Sequence, residues 1–298
     1  MKILIIGARG FIGKKCFEYF SSKQKNVFGC DIQGSSNNEN YFVISDNNPD
    51  FNSVFKKTNP DICINASGSA DVAFSIKFPE KDFELNVQNV ERILEAIKLN
   101  SPDCKLINFS SAAIYGNPKQ LPIKESDPTS PLSPYGLHKL QSEQLLKKYW
   151  DDFGIKTCNM RIFSAYGPGL KKQIFWDIYQ KSKNAKKVIL YGTGKESRDF
   201  IYIDDLVKAI DLIIQNASFH GEAIHVANGE EININKAAQL LIDELHLNNS
   251  LYFSGEAHKG YPVNWKADIS TLKKFGYQQS VSIEQGLKKY KKWLNEKE

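Results

Sequence analysis

Tyr135 and Lys139, in the stretch SPYGLHKLQSE, carry side chains that exchange protons and stand four positions apart. The stretch has the pattern of an amphipathic helix, and positions four apart lie on the same helix face. Free tyrosine titrates near ~10 and free lysine near ~10.4, so neither catalyses proton transfer at neutral pH by itself. A nearby ammonium stabilises a phenolate and lowers the pKa of the tyrosine. The pair therefore predicts a general acid/base at a hydroxyl or ketone oxygen, with an exposed pair of no function as the alternative.

A glycine-rich turn follows the first apolar run, in KILIIGARGFIG. Gly7, Gly10 and Gly13 lie between this strand-like run and a helix-like one. Glycines there permit a tight turn and bring backbone N–H groups and a helix amino terminus close to a pyrophosphate. The spacing is GxxGxxG instead of GxGxxG, and a purely structural turn is the alternative. Because the triplet opens an alternating α/β chain, the sequence predicts a dinucleotide site.

Two charged residues bear on which dinucleotide is bound. Asp31 ends the second strand-like run, eighteen residues after Gly13. A carboxylate there accepts hydrogen bonds from ribose hydroxyls and repels a 2′-phosphate, which favours NAD. Arg9 acts in the opposite direction, because a guanidinium in the glycine loop can pair with that phosphate. The sequence leaves NAD and NADP both open.

Alternating apolar and helical segments must position these residues. The strand-like runs are KILII (2–6), NVFGCD (26–31), DICIN (61–65), KLINF (105–109) and KTCNMRIF (156–163), with helical patterns over 11–20, 79–99 and 133–150. Such runs predict a parallel sheet covered on both faces, an α/β fold of the Rossmann-like, doubly wound class. KLINF leads to Ser111, whose hydroxyl would stand at the carboxyl end of a strand, where open parallel sheets bind ligands.

The pattern loosens after about residue 165 into glycine-rich segments, with helical patterns near 233–245 and 282–294. We therefore predict two parts that enclose a ligand cleft. The dinucleotide-binding domain would span residues 1–165 and about 195–228, and a smaller carboxy-terminal substrate lobe would span 166–194 and 229–298.

Composition argues against several classes of protein. The 298 residues are 41% hydrophobic, and the net charge of +5 comes from basic residues scattered over predicted helix faces. No basic stripe lies beside aromatic residues, which argues against nucleic-acid binding. The five cysteines form no CxxC pair and the histidines no HExxH motif, so we expect reduced thiols and no metal site. Without an apolar run of ~18 residues or a signal-peptide pattern, we expect a cytoplasmic protein with no membrane partner.

Seven motifs resemble, in order, those of the extended short-chain dehydrogenase/reductases of the NAD-dependent epimerase/dehydratase group, which modify nucleotide-diphosphate sugars. They are GARGFIG, PDICINASG, FELNVQNVERIL, FSSAAIYG, SPYGLHKLQSE, RIFSAYGPG and SRDFIYIDDLVKAI, between residue 2 and about residue 214. The resemblance implies that Tyr135 is the general acid/base and that Ser111 hydrogen-bonds the reacting sugar oxygen. It also implies that Lys139 orients the nicotinamide ribose and depresses the tyrosine pKa.

The resemblance further implies a set of binding residues. Those implied for the cofactor are Gly7, Arg9, Gly10, Phe11, Ile12, Gly13, Asp31, Ile32, Asp46, Ala66, Ser67, Gly68, Asn86, Ser110, Tyr135, Lys139 and Phe163. Those implied for the substrate are Ser111, Ser164, Arg198 and His258. Arg198 would bind the nucleotide of the sugar substrate, with a salt bridge to Asp204 or Asp205 as the alternative.

The chain also departs from the family pattern. Dehydratases of the family carry an acidic residue in patterns such as TDEVYG, where this chain has Ala112 and Ala113. Expelling water next to a ketone needs such carboxyl groups, so dehydration and decarboxylation are not expected. Ser164 stands where asparagine is common. The stretch HKGYP, with His258, stands where many relatives have Arg-x-Gly-Asp.

The remaining chemistry is hydride transfer at one sugar carbon, with C4 as the expected position. We favour a 4-keto-6-deoxysugar nucleotide reductase, because the chain is short and Arg9 resembles a loop arginine of NADPH-using sugar reductases. A nucleotide-sugar 4-epimerase is the alternative. A non-catalytic dinucleotide sensor and an enzyme of steroid- or flavonoid-like alcohols are less favoured. Relatives commonly pair through two long helices, here near 79–99 and 133–150, which implies a homodimer.

Overall fold

A computed structural model of the chain describes residues 1–34, 39–184, 187–247, 250–256, 260 and 262–296. The strands are β1 (Lys2–Ile6), β2 (Asn26–Asp31), β3 (Tyr41–Val43), β4 (Ile62–Asn65), β5 (Lys105–Ser111), β6 (Thr157–Ile162), β7 (Ser164–Tyr166), β8 (Lys187–Leu190), β9 (Ser197–Arg198), β10 (Phe200–Tyr202), β11 (His220–Val226), β12 (Ile232–Asn233) and β13 (Ser250–Phe253). Seven of them form one sheet, and the other six pair into three small sheets.

The helices follow the strands in regular alternation over the first half of the chain. They are α1 (Phe11–Ser22), α2 (Phe51–Thr58), α3 (Val72–Lys77), α4 (Pro79–Phe83), α5 (Asn89–Asn100), α6 (Pro134–Phe153), α7 (Gln173–Asn184), α8 (Ile203–Asn216), α9 (Ile234–Glu244), α10 (Ser270–Lys274) and α11 (Ile283–Asn295). A π-helical turn, Glu84–Gln88, joins α4 to α5, and a 3₁₀ turn, Ala112–Tyr115, follows β5.

The large sheet is parallel throughout and has the order β3-β2-β1-β4-β5-β6-β11. The strand order reverses between β1 and β4, so the chain leaves these two strands in opposite directions. In open α/β sheets a crevice forms outside the carboxyl ends of the strands at such a point, and ligands bind there. The predicted doubly wound fold is therefore confirmed, and its crevice lies next to the glycine turn after β1.

Both faces of this sheet are buried. Ile3 and Ile5 of β1 pack into one apolar cluster with α1 and α8, while Leu4 and Ile6 pack into a second with α2, α5 and α6. Successive side chains of a strand point to opposite faces, so a run without polar residues must be covered on both sides. Burial on both faces explains why KILII contains no alternating polar positions.

The five predicted strands are confirmed to within two residues at either end. The 79–99 pattern is interrupted by the π turn, so α4 and α5 are separate helices. The structure adds α2, α8 and β11, which the sequence did not predict. Strand β11 belongs to the large sheet, and the division of the chain into two domains stays a prediction.

Asp199, between β9 and β10, connects two later segments of the chain. Its carboxylate is fully buried and accepts backbone N–H bonds from Asn228, Gly229 and Ala267 at 2.9, 3.0 and 3.1 Å. Because these donors come from two distant segments, one carboxylate fixes their relative position.

The remaining composition-based expectations concern cysteines and membranes. All five cysteines are buried and reduced, as predicted. Burial raises the pKa of the Cys30 thiol to about 12, followed by the Asp31 charge as the smaller cause. Over the residues described above, no helix has the length and apolar character needed to span a bilayer.

Candidate active site

The glycine turn closes the carboxyl end of β1. Gly7 has a φ of +81° and its N–H donates to the Cys30 carbonyl at 2.8 Å. A side chain at Gly7 would come within 2.7 Å of the Ala66 backbone, and one at Gly13 within 2.1 Å of the Gly7 carbonyl oxygen. Gly10 is the N-cap of α1 and offers no side chain to its N–H groups. The turn thus leaves the amino terminus of a twelve-residue helix available to an anion.

Asp31 lies beside this turn. Its Oδ2 accepts the backbone N–H of Arg9 at 2.7 Å, and its Oδ1 accepts that of Gln33 at 3.3 Å. The Arg9 guanidinium lies 5.3 Å from the centre of the Tyr41 ring on the neighbouring strand. Ile32 is exposed next to Asp31, and Asp46 is exposed beyond β3, at the edge of the sheet. Arg9 therefore contacts both Asp31 and Tyr41 next to the glycine turn.

The segment after β4 packs against the same turn. Ser67 donates to Asn65 Oδ1 at 2.6 Å, which holds the backbone of residues 66–68 in a tight bend. Gly68 has a φ of +97°, and a side chain there would come within 2.5 Å of Asn86 Oδ1. The Asn86 amide is buried, and neither its nitrogen nor its oxygen has a hydrogen-bond partner within the described part of the chain. Asn86 lies in the π turn, a distortion that often marks functional sites.

Tyr135 occupies the first turn of α6, in which Ser133 is the N-cap and Pro134 the first residue. A side chain at Gly136 would come within 2.6 Å of the Ala113 carbonyl oxygen, so this end of α6 presses on the 3₁₀ turn. Ser111 ends β5, and its hydroxyl lies close enough to the Tyr135 phenol to lower the pKa of that phenol. The structure thus brings Ser111 and Tyr135 together at the carboxyl edge of the sheet.

The pKa of Tyr135 differs from the sequence-based expectation. Burial raises it to about 12, the hydrogen bond with Ser111 lowers it, and the charge of Asp82 raises it. We expected the Lys139 ammonium to lower the pKa of Tyr135, but burial, Ser111 and Asp82 set it instead. The Lys139 ammonium lies 5.9 Å from the centre of the Tyr135 ring. Because a buried phenolate loses hydration, burial outweighs an ammonium at this distance.

Lys139 is itself a buried cation. Its Nζ donates to the Phe109 carbonyl at 2.8 Å. Burial lowers the pKa of Lys139 to about 8, and the charges of Asp82 and Glu143 raise it. Part of its population can therefore release a proton near physiological pH.

A buried polar network centred on Arg161 and Glu143 lies next to the site. Arg161 donates to both oxygens of Glu143, through Nε at 3.0 and 3.2 Å and through Nη2 at 2.7 Å. Ser110 donates to Glu143 at 2.5 Å, so its hydroxyl is occupied inside the protein. Arg161 also donates to the Tyr115 hydroxyl, which lies 2.6 Å from His225 Nε2. The Ser110 hydroxyl uses its proton in the bond to Glu143, so a cofactor contact by this side chain would have to be made through its oxygen as an acceptor.

Two of the predicted substrate residues lie in small two-stranded sheets, Ser164 in the pair β7–β10 and Arg198 in the pair β9–β12. The Ser164 N–H donates to the Asp199 carbonyl at 2.9 Å, which sets Ser164 beside Arg198. Arg198 donates to the carbonyls of Ser197, Pro262 and Val263, and its guanidinium lies 5.2 Å from the centre of the Trp265 ring.

The alternative partners suggested for Arg198 are engaged elsewhere. Asp204 pairs with Lys15 at 2.9 Å, and Asp205 Oδ2 accepts the N–H groups of Ser280 and Val281. The Phe163 ring is buried against His225 and Trp265. His258 lies outside the described residues.

The site lacks a carboxyl group where dehydratases have one. Ala112 is fully buried and Ala113 partly buried in the 3₁₀ turn that carries Ser111 into the crevice. Neither can donate a proton to a departing hydroxyl or remove one from carbon.

Three residues that the sequence did not single out contribute to the site. Asp82 and His138 form a buried hydrogen-bonded pair behind Tyr135 and Lys139. Trp265 carries Arg198 on its face and donates from Nε1 to the Gly116 carbonyl at 3.2 Å. Of these three residues, only His138 lies inside a motif that the sequence analysis used, since it falls between Tyr135 and Lys139.

The residues present fit a dinucleotide. The turn at Gly7 and Gly13 would lose its shape with any side chain, α1 begins without a side-chain cap, and the Asn86 amide is buried without a partner. Gly7 to Gly13 would hold the pyrophosphate and Asp31 a ribose. The crevice therefore places Ser111, Tyr135 and Lys139 beside residues that fit a dinucleotide.

Comparison with known proteins agrees with this geometry. The family model described as "NAD dependent epimerase/dehydratase family" matches residues 3–227. An uncharacterised UDP-glucose epimerase of Bacillus subtilis, YtcB, is 30% identical over 312 residues, covering 96% of each chain.

Solved structures extend the similarity to the whole chain. The UDP-glucuronic acid 4-epimerase of Bacillus cereus, in complex with UDP-glucuronic acid and NAD, has a TM-score of 0.90 at 26% identity and covers 100% of both chains. The UDP-N-acetylglucosamine 4-epimerase of Methanobrevibacter ruminantium, in complex with UDP-N-acetylmuramic acid, has a TM-score of 0.88 at 26% identity. It covers 100% of this chain and 99% of its own.

Proposed function

The chain belongs to the NAD-dependent epimerase/dehydratase family, and from this premise we propose that it is a UDP-sugar 4-epimerase that works with NAD. The observation that carries the proposal is the meeting of Ser111, Tyr135 and Lys139 at the carboxyl edge of the sheet, beside the glycine turn. An acid–base pair at a dinucleotide cradle suits the reversible oxidation of an alcohol.

The proposed roles follow from the contacts of each side chain. NAD, when bound, accepts a hydride and returns it. Tyr135 takes the proton of the sugar hydroxyl and later gives it back, so the phenol ends the cycle as it began. Ser111 holds the same oxygen and favours the phenolate through its hydrogen bond to Tyr135. Lys139, four positions along the same helix, provides positive charge in its protonated form.

Alanine at positions 112 and 113 supports a reaction without loss of water. A ketone formed at C4 would meet no carboxyl group in this turn that could expel the neighbouring hydroxyl. Hydride return is then the remaining outcome, which is the chemistry of an epimerase.

The comparisons favour the epimerase over the reductase preferred from the sequence. The three relatives described above are named as epimerases, and two of them as 4-epimerases. The short chain was one reason for preferring a reductase, but these epimerases match it over 96% or more of their own length. A non-catalytic sensor is also disfavoured, because it would have no use for Ser111, Tyr135 and Lys139 together.

The proposal is tested by incubating purified protein with single UDP-sugars and no added reduced cofactor. UDP-glucose, UDP-glucuronic acid and UDP-N-acetylglucosamine are the probes, and interconversion of at least one with its C4 epimer is expected. Tyr135→Phe should lower the rate by about 10²–10⁴-fold. Tyr149→Phe, at the far end of α6, is the matched control and should retain it. If NADH or NADPH is instead consumed with a 4-keto-6-deoxysugar nucleotide and no UDP-sugar reacts, the reductase hypothesis replaces this one.

We retain the homodimer as part of the proposal. Leu99 of α5 and Leu137 and Phe153 of α6 are exposed apolar side chains on the two helices predicted to pair. Light scattering after size exclusion should give about twice the chain mass of 33.8 kDa. A single-chain mass across the working concentration range would contradict it.

A further inference from the structure

Arg161 is a buried cation that the proposed reaction does not use. It lies on β6, and all three nitrogens of its guanidinium have partners. Nε and Nη2 donate to Glu143 of α6 at 3.0 and 2.7 Å, and Nη1 donates to the Tyr115 hydroxyl and the Glu125 carbonyl, at 2.6 Å each. Burying a charge is costly unless it is paired and hydrogen-bonded, as it is here. One side chain thus connects β6 to α6, to the 3₁₀ turn and to the segment that follows the turn.

Glu143 connects this cation to the strand that carries the reacting serine. Ser110 of β5 donates to Glu143 Oε1 at 2.5 Å. Lys139, one turn earlier on α6, donates to the carbonyl of Phe109 at 2.8 Å. Positions four apart lie on one helix face, so α6 binds two consecutive residues of β5 through one face. The next residue of β5 is Ser111, and its distance from α6 therefore depends on these contacts.

Tyr115 is bound at the other end of the turn that starts after Ser111. The 3₁₀ turn runs from Ala112 to Tyr115, and the Ser111 hydroxyl accepts the N–H of Ala113 at 3.2 Å. The Tyr115 ring is buried, and Arg161 binds its hydroxyl from the neighbouring strand. The turn is therefore fixed at its start by β5 and at its end by Arg161.

The directions of the hydrogen bonds around Tyr115 can be assigned. A carbonyl only accepts, so His225 Nδ1 carries a proton that it donates to the Asp268 carbonyl at 2.9 Å. Burial lowers the pKa of His225, which favours the neutral ring, so Nε2 accepts from the Tyr115 hydroxyl at 2.6 Å. The Lys124 carbonyl lies farther from that hydroxyl, at 3.3 Å. A guanidinium only donates, so the Tyr115 oxygen accepts from Arg161 and donates to His225, which fixes its position from two sides.

We propose that Arg161 is a positioning residue that holds the 3₁₀ turn and α6 at a fixed separation, so that Ser111 stays beside Tyr135. It reaches α6 through Glu143 and the turn through Tyr115. Its importance for the rate rests on the proposed function, whereas its effect on the turn does not. A purely structural ion pair would stabilise the fold and leave both the turn and the rate of the folded enzyme unchanged.

The first measurement is amide hydrogen exchange in the unliganded protein, followed by NMR. Tyr115→Phe removes one hydroxyl and leaves the ion pair of Arg161 and Glu143 in place. The amides to follow are Ala113, bound to the Ser111 hydroxyl, and Gly116, bound to the Ala113 carbonyl at 3.4 Å. Because the lost bond joins the turn to a charged group, we expect these amides to exchange at least about tenfold faster.

Tyr290→Phe is the matched control. Tyr290 is as deeply buried as Tyr115, and its hydroxyl donates to the Leu170 carbonyl at 2.9 Å, away from the 3₁₀ turn. This variant also loses one buried hydrogen bond, so it should be destabilised to a similar extent. The amides of Ala113 and Gly116 should nevertheless exchange as in the wild type.

The second measurement is the steady-state rate with whichever UDP-sugar is turned over. A shift of about 1 Å between reacting groups can lower a rate by about 10²-fold, so we expect the kcat of Tyr115→Phe to fall at least about tenfold. The KM should stay within about twofold, since the change affects the reacting groups and leaves ground-state binding in place. Tyr290→Phe should retain both constants.

A second variant decides the matter if Tyr115→Phe fails to fold, as judged by circular dichroism. Arg161→Met alone would leave the buried Glu143 carboxylate without this cation, so it is combined with Glu143→Gln. The new amide oxygen can still accept from Ser110. The double variant should show the same faster exchange at Ala113 and Gly116.

Unchanged exchange in a folded variant would overturn the proposal, and so would faster exchange with a wild-type kcat. If the wild-type protein turns over no UDP-sugar, the proposed function is rejected. The exchange measurement still decides whether Arg161 holds the turn.

Discussion

The ammonium of Lys139 donates a 2.8 Å hydrogen bond to the backbone carbonyl of Phe109, which ties α6 to the end of β5. Two residues after Phe109, the same strand delivers Ser111 to Tyr135. One hydrogen bond from side chain to backbone therefore fixes the distance between the elements that carry all three reactive groups. The bond also holds the Lys139 ammonium in a buried position, and burying this charge lowers the free energy of unfolding.

Lys139→Met should make the protein more stable at pH 7. The lowering of the Lys139 pKa from 10.5 to about 8 corresponds to roughly 3 kcal/mol against the charged form in the folded protein. Loss of the bond to Phe109 offsets part of this, so we expect a net gain of about 1 kcal/mol in the free energy of unfolding.

The sign of the pH dependence follows from the direction of the shift. Between about pH 8 and 10.5 the unfolded chain binds this proton more tightly, so wild-type stability from this group rises with pH. The advantage of Lys139→Met should shrink over the same range in urea unfolding at pH 7, 9 and 10. Lys148→Met, an exposed site on α6, is the control, and a constant advantage at all pH values would contradict the prediction.

Ser111→Ala should slow the reaction and move its pH profile upward. The hydrogen bond from Ser111 lowers the pKa of Tyr135, so its loss raises that pKa further and shifts the rising limb of activity to higher pH. A bond to a charged group corresponds to about a 10- to 100-fold change in rate. Ser110→Ala, which removes a hydroxyl bound to Glu143, should reduce stability and leave the profile in place. Equal profiles for Ser111→Ala and wild type would refute the assigned role.

Gly13→Ala should weaken dinucleotide binding. The added carbon would lie 2.1 Å from the Gly7 carbonyl oxygen, so the turn must open. We expect a loss of about 2 kcal/mol in stability and at least about a tenfold loss in NAD affinity, measured by thermal shift. Gly276→Ala is the control: nothing lies within 4 Å of its added carbon, and only its φ of +93° is strained. NAD affinity that survives in Gly13→Ala would place the cofactor elsewhere.

Asp31→Ser should change the choice between NAD and NADP. The carboxylate of Asp31 is held by the Arg9 N–H at 2.7 Å, and its negative charge repels a 2′-phosphate. Without it, the Arg9 guanidinium is left to attract that phosphate, and the NADP-to-NAD affinity ratio should rise by about tenfold or more. Asp46→Ser should alter both affinities alike. A ratio that stays the same in Asp31→Ser would show that this carboxylate does not discriminate between the two.

The sequence predicted the sheet because its strands are buried on both faces. An unbroken apolar run such as ILII (3–6) cannot be half exposed, and the glycine triplet that follows requires a strand before it and a helix after it. The meeting of Ser111 with Tyr135 followed from the fold, since both stand where β5 and α6 reach the carboxyl edge. Strand β11 escaped prediction because its four amino-terminal residues, HGEA, are polar or small.

The pKa values and hydrogen bonds of the site depend on how deeply side chains are buried and on contacts between residues far apart in sequence, and neither can be read from a local motif. The pKa of Tyr135 is set first by burial, and no local pattern gives the amount of water that a side chain loses. Asp82 and His138 are 56 positions apart, and neither has a neighbour in sequence that indicates the pairing. The bond between Ser110 and Glu143 was missed for the same reason, since the two residues are 33 positions apart. Nothing in SSAAIYG distinguishes the serine that binds Glu143 from the serine that lies beside Tyr135.

Asp199 limits how this enzyme could exchange parts with its relatives. A chimera that replaces residues 229–298 would separate the backbone donors of Gly229 and Ala267 from the Asp199 carboxylate that binds them. A transplanted segment must follow the same main-chain course at both positions, whatever its side chains are. Sugar preference in this protein should therefore evolve, or be engineered, by replacing individual side chains on a conserved backbone.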